Sequence, residues 1–151
     1  MNKLKLFLKY LFFFMLGGSV YYMMEIICRG YSHPSMFVLG GICYILIGLI
    51  NEYLPWDLYI EIQIAIGEVI VLVLEFITGC IVNLWLGWHV WDYSDRFCNI
   101  LGQVCLLYAI IWIPVVIYAI LLDDCVRYIF FKEEYPRYRS WIVEKLKSLK
   151  K

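Results

Sequence analysis

The chain has 151 residues, of which 64% are hydrophobic and 17% charged, and its basic and acidic side chains balance to a net charge of zero. A soluble domain of this length is about half apolar, because it must cover itself with polar groups. The apolar excess therefore excludes an ordinary soluble globule and places much of the outer surface against lipid. The zero net charge hides an asymmetry. No Lys lies between Lys9 and Lys132, and the only Arg residues in that interval are Arg29, Arg96 and Arg127.

In chain order, Lys3, Lys5 and Lys9 precede an apolar run from Tyr10 to Val20, as in a secretory leader. No small-x-small cleavage site follows, and the run continues through Tyr21, Tyr22 and Met23 to Glu25, so it reads as a retained first helix. A helix of about 20 apolar residues crosses the hydrocarbon core at 1.5 Å per residue, and four segments qualify, at about 10–27, 36–54, 58–84 and 100–122. Asn51 and Glu52 interrupt the end of the second. The third carries Glu61, Gln63, Glu68, Glu75 and Asn83, and the fourth has only Gln103 and Pro114 as irregularities. Neighbouring helices can satisfy the carbonyl that a kink at Pro114 would free.

Residues 126–151 form a basic tail. Within it Trp141, Ile142, Leu146 and Leu149 alternate with Lys145, Lys147 and Lys150 at near-helical spacing. This predicts an amphipathic helix on an anionic inner leaflet, although the same residues also suit a solvated basic tail. The fold expected is all-α: one domain, 1–151, built as a polytopic bundle of about four transmembrane helices plus a C-terminal amphipathic helix.

Orientation follows from the basic residues, three before the first helix and eight from Arg127 onward. Basic flanks favour the cytoplasmic side, so an even number of spans gives a plasma-membrane protein with both termini cytoplasmic. Trp85, Trp88, Trp91 and Tyr93 cluster where the third helix leaves the membrane, with Trp56 in the opposite loop. Such rings favour the headgroup level.

Glu61, Glu68 and Glu75 are spaced seven apart, which puts them on one helix face, Glu68 and Glu75 about 10 Å apart along the axis. An ionised carboxylate inside the hydrocarbon costs at least ~2.5 kcal/mol. Glu25 is a further acid, in the first helix, and the sequence offers no Lys or Arg at midplane depth to neutralise any of them. Protonation, a hydrogen-bonded cluster or a bound cation would each relieve the cost. One reading is a cation, proton or polar-headgroup site built from Glu25, Glu68 and Glu75, with Thr78 one turn beyond. The other is a buried hydrogen-bond network joining the first and third helices.

The segment Gly87-Trp88-His89-Val90-Trp91-Asp92-Tyr93-Ser94-Asp95-Arg96 offers His89, Asp92, Ser94 and Asp95, with His33 in the facing loop. Two His residues without HExxH-type spacing give no basis for a metal site. A tight turn fits better, with Asp92 and Ser94 accepting backbone N–H bonds and Asp95 or Asn99 capping the fourth helix. The six cysteines contain no CxxC, and Cys28 and Cys98 fall on the same side, where a disulfide is conceivable. Gly17, Gly18, Gly40, Gly41 and Gly79 suit close helix packing. GxxxxGK[ST] is absent, so the chain is not itself a P-loop ATPase, and GxSxG is absent too. No catalytic residues, metal, cofactor or nucleic-acid partner is expected.

Leu74-Glu75-Phe76-Ile77-Thr78-Gly79 followed by Trp91-Asp92-Tyr93-Ser94, with Gly102, Tyr108-Ala109 and Trp112 in the fourth helix, resembles a known family. It is that of the putative ABC-transporter type IV permeases, small membrane proteins widespread in Firmicutes with animal transmembrane relatives. The resemblance spans roughly 11–125 and leaves the basic tail outside. Gly18 and Glu25 stand further apart than in the family's usual pattern. The resemblance implies a permease working with a separate ATPase, names no substrate, and gives Glu75 and Asp92 a central place.

Three functions follow as expectations. The first is a permease-like transport component with Glu25, Glu68, Glu75, Thr78, His89, Asp92 and Ser94 as candidate substrate or ion ligands. The second is a homo-oligomeric, lipid- or partner-binding regulatory module whose acids are structural. The most distant is a headgroup enzyme using His89 and Asp92. A four-span subunit is too small to enclose a large pathway alone, so membrane lipids, further copies or an ATPase subunit are the partners expected.

Overall fold

The computed structural model describes residues 2–55 and 58–149; Trp56, Asp57 and Lys150 lie outside them. Among the described residues six α-helices follow one another: α1 Lys3–Arg29, α2 Pro34–Gly48, α3 Ile50–Tyr53, α4 Ile60–Gly79, α5 Leu106–Phe131 and α6 Trp141–Leu149, with a π-helical stretch Cys80–Trp85 continuing α4. Among the described residues no strand forms, only two isolated bridges. Four helical segments of the described residues are long and apolar enough to cross a membrane: Lys3–Arg29, Pro34–Tyr53, Ile60–Trp85 and Leu106–Phe131. The protein is thus an all-helical membrane protein.

The helix boundaries follow local chemistry. Asn2 caps α1, accepting from the Leu4 N–H, and Gly30 ends it in a left-handed conformation (φ 79°) that glycine adopts without strain. His33 caps α2, with Pro34 at its first position, where a missing N–H costs nothing. The second span is not one continuous helix: it breaks at Leu49 before α3, ahead of the polar pair Asn51 and Glu52.

The fourth span differs most from expectation. It begins at Leu106 instead of near 100, because Cys98, Leu101 and Gly102 take positive φ and Ile100 pairs back on Val104. It runs on to Phe131 instead of stopping near 122, because Asp123, Asp124 and Arg127 all find partners inside the bundle. Neither Asp95 nor Asn99 caps it; Cys105 holds the N-cap position with no side-chain bond, and Asn99 braces the preceding turn.

α1 packs along α2, while α2, α4 and α5 pack on one another. The α1–α2 seam is close because glycine permits it: a Cβ on Gly41 would lie 2.7 Å from the Phe14 carbonyl oxygen, and one on Gly18 2.6 Å from that of Phe37. Phe13, Tyr44, Ile47, Val116 and Ile120 form one buried cluster. Met36, Leu39, Val82 and Trp91 form a second, nearer the 86–105 loop. Phe7, Leu11, Val69, Val73, Ile110 and Ile111 are exposed, as a lipid-facing surface requires. Trp85 and Trp88 are exposed, whereas Trp91 is buried and Tyr93 half-buried. Those two rings belong to the interior and not to a headgroup-level belt.

The chain ends meet at one end of the bundle. Lys9 pairs with Glu133 just beyond α5. The start of α6 returns to α4, where Glu61 accepts from the Ser140 hydroxyl and from the Trp141 and Ile142 N–H groups. α6 carries no buried residue. It is the amphipathic helix expected in the tail, seated on a carboxylate at its N-terminus.

Candidate functional site

At the opposite end, residues 86–105 fold back over the bundle instead of looping away from it. The π-helical stretch turns Asn83 inward, where it donates to Gln103 Oε1 (2.8 Å) and accepts from the Val90 N–H (2.7 Å). Trp91 Nε1 donates to the Gln103 carbonyl (2.9 Å). Gly79 makes room for this: a Cβ there would lie 2.5 Å from Gln103 Oε1 and 3.0 Å from the Trp91 ring. Seating Trp91 carries Tyr93 inward as well, where its ring stacks on Tyr108 at 4.4 Å.

This arrangement surrounds Glu75, which is only 2% exposed. Its Oε2 accepts from Trp112 Nε1 at 2.9 Å and its Oε1 from the Tyr93 hydroxyl at 3.5 Å. Burial and the nearby Glu75 carboxylate both push the Tyr93 phenol above its ordinary value, so Tyr93 acts as a neutral donor. Among the described residues no cation pairs with Glu75. One good bond to a charged group is worth ~1.5–3 kcal/mol, comparable with the ~2.5 kcal/mol cost of the charge in lipid; the 3.5 Å contact adds little. With no basic partner among the described residues, protonation or a bound cation is what would relieve the cost of Glu75 in lipid.

Glu75 is also among the residues lining a partly open, almost wholly apolar cavity of about 110 Å³ between α1, α2, α4 and α5. Tyr21, Met24, Cys43, Tyr44, Trp112 and Ala119 also line it. The Tyr44 hydroxyl is buried without a hydrogen-bond partner among the described residues. Glu68, two turns before Glu75, is half-buried, and both its carboxylate oxygens are shielded and equally unpartnered. Thr78 is half-buried and joins none of these bonds.

Glu25 has a different environment. It bonds to Arg29 Nη1 at 2.8 Å and to the Ser32 hydroxyl at 2.6 Å, so a basic partner does exist for it, one turn on in the same helix. Arg29 reaches on to the Val90 carbonyl (3.1 Å) and fastens α1 to the folded-back loop.

Asp92, His89 and Ser94 are exposed. Asp92 Oδ1 accepts from the Ser94 N–H at 2.8 Å, as expected of the tight turn, and this bond holds its carboxyl below the usual range. A Cβ on Gly102 (φ 68°) would lie 2.8 Å from the same oxygen. His33 caps α2 and packs on Trp88, apart from any acid cluster. Among the described residues no group of three His, Cys, Asp or Glu could hold a metal ion, and Cys28 and Cys98 are both exposed free thiols. The seven candidates thus separate: Glu75 and Glu68 face the interior with Thr78 nearby, Glu25 forms an ion pair, and His89, Asp92 and Ser94 lie exposed on the 86–105 loop.

The sequence reading missed a second buried polar cluster, at the end where the chain termini meet. Arg127, 4% exposed, bonds to the fully buried Asp123 and to Glu52 (3.0 Å) and Glu133 (3.4 Å). Asn51 Nδ2 and the Tyr138 hydroxyl both donate to Asp124, at 2.8 and 2.7 Å. The Arg127 guanidinium lies over the Phe13 ring at 4.5 Å. Burial works to raise the Glu133 carboxyl, but Lys9 and Arg127 outweigh it and hold it below its ordinary value. The i,i+4 spacing of Asp123 and Arg127 was the signal available, hidden by ending the fourth helix at 122.

Comparison with known proteins adds one finding. The model of the family described as "Putative ABC-transporter type IV" matches residues 6–144. The match exceeds the 11–125 of the motif resemblance and takes in most of the basic tail. No curated protein and no solved structure matches the chain.

Proposed function

Because the chain belongs to the putative ABC-transporter type IV family, we propose that it serves as a permease-like transport subunit whose solute passes the Glu75 cavity. The observation that carries this reading is Glu75 itself: an acid 2% exposed, among the residues lining a largely apolar cavity, with no cation paired to it among the described residues. A purely structural acid would be expected to spend its charge on a basic partner, as Glu25 does on Arg29. In this reading Glu68, with two unpartnered oxygens on the same face, and Thr78 extend the polar route beyond Glu75. His89, Asp92 and Ser94 form the outer rim of the path, and Glu25 fastens that rim to α1.

A cavity of about 110 Å³ is too small for a complete pathway, so the subunit works with further copies of itself or with a separate ATPase, among membrane lipids. The basic residues orient both termini to the cytoplasm, and the Lys9–Glu133 pair agrees with both being on one side. The alternative, a regulatory module with structural acids, draws support from the Glu25–Arg29 pair and from the bonds that tie Glu75 to Trp112 and Tyr93.

Native mass spectrometry of the protein extracted gently from its own membrane tests the proposal. A complex with a nucleotide-hydrolysing subunit supports ATPase-coupled transport, whereas a homo-oligomer carrying only lipid removes the ATPase and favours a self-contained channel or a lipid-binding or regulatory module. Glu75→Gln provides a second check. Transport requires that this variant fold and insert but lose flux, while the module reading requires it to behave as wild type and Glu75→Leu to unfold.

A further inference from the structure

We propose that the Glu75 cavity binds a small organic ammonium ion. This rests on the transport reading for its physiological meaning but not for its chemistry. The cavity brings together one acid that has no basic partner among the described residues and the rings of Tyr21, Tyr44 and Trp112, set in otherwise apolar walls. Tyr21 and Trp112 are in direct contact, with centroids 5.6 Å apart and planes at 48°, so they form a corner beside the carboxylate instead of a flat stack. Aromatic faces attract cations, above all weakly hydrated alkylammonium groups, and do so best where water is excluded. Trp112 and Tyr93 direct their polar hydrogens at Glu75, which fixes the carboxylate.

The walls decide between ligand classes. An inorganic cation needs several oxygen ligands to replace its hydration shell, and here the acidic group is single, since Glu68 lies two turns away and is absent from the lining. A neutral apolar guest would leave the carboxylate charge uncompensated. An alkylammonium ion satisfies both carboxylate and rings. The volume sets the size: an engineered cavity of about 150 Å³ takes up benzene, so about 110 Å³ suits a cation of roughly five heavy atoms.

Tetramethylammonium chloride, titrated calorimetrically into the full chain in lipid nanodiscs, tests this against sodium chloride and the uncharged isostere tert-butanol. Saturable binding of tetramethylammonium, with neither control competing, is the result expected. Glu75→Gln should abolish it, and Tyr21→Leu, which leaves the carboxylate and its donors in place, should weaken it about tenfold. The second variant keeps the test informative if the first does not fold. Failure of tetramethylammonium to bind, equal competition by sodium, or binding indifferent to Tyr21→Leu would overturn the proposal. Flux into proteoliposomes separates it from the transport reading. Binding without flux leaves the ligand class standing and removes transport. Glu75-dependent flux of another solute without tetramethylammonium binding does the reverse.

Discussion

Arg127 holds three acids from three parts of the chain, Glu52 after α2, Asp123 within α5 and Glu133 beyond it. Its replacement by Met leaves Asp123, fully buried, without its cation. Breaking a buried pair from one side costs about 3–5 kcal/mol, and denaturation in mixed micelles should show a loss of that order. Adding Asp123→Asn, which keeps the shape packed against Gly48 but removes the charge, should recover much of it; strictly additive losses would show that the two residues are not coupled. At the other end Asp92 stands apart from the buried clusters. Its folded-state pKa is lowered by the Ser94 N–H, so its contribution is complete above the ordinary carboxylate range and disappears as pH falls through the lowered value, below about pH 4. The Ser94 amide resonance should shift in that window and stay flat in Asp92→Asn. The intramembrane acids were legible because lipid makes any charge conspicuous. What each acid pairs with was not, since Arg29 stands at the interface, where a midplane search overlooks it, and the Asp123–Arg127 pair lies beyond the point where the apolar run gave out.

The helices owe their existence to apolar length and their spacing to glycine. α1 and α2 approach until Gly41 lies against the Phe14 backbone and Gly40 against the Tyr21 side chain. A backbone carbonyl cannot swing aside as a side chain can, so Gly41→Leu must part the helices, with a cost of about 1–3 kcal/mol or more. Ala65→Leu, on an exposed face of α4, should change the unfolding midpoint little. Equal tolerance of both would mean that α1 and α2 do not meet at this seam. Spans and packing glycines were readable from composition and spacing, since each depends on local properties. The π-helical exit of α4 and the folded 86–105 loop were not, because they depend on Asn83, Trp91 and Gln103 finding one another across 20 residues, a tertiary event with no periodic signature. Reading 100–105 as helix was the result: its apolarity seals the loop instead of spanning lipid.

At the scale of the molecule, the decisive feature is that both chain ends lie at one end of the bundle and the 86–105 loop at the other. The sequence foretold this from parity and basic flanks; the structure adds the physical ties, Lys9 to Glu133 and Glu61 to the start of α6. Membrane-impermeant maleimide can test it in a chain whose only cysteine is native Cys98, or one introduced at Asn2 or Ser148, all three exposed positions. Intact cells should label Cys98 alone, and inverted vesicles should label Asn2→Cys and Ser148→Cys alone. If the pattern is reversed as a whole, the bundle stands and only its orientation is wrong. If Asn2→Cys and Ser148→Cys label from opposite sides, the Lys9–Glu133 pair cannot exist, and the enclosure of Glu75 between α1 and α5 fails with it. That enclosure is what gives the cavity its lining: Tyr21 comes from α1, Trp112 from α5 and the carboxylate from α4, so the orientation and closure of the bundle determine from which side a solute would meet the charge.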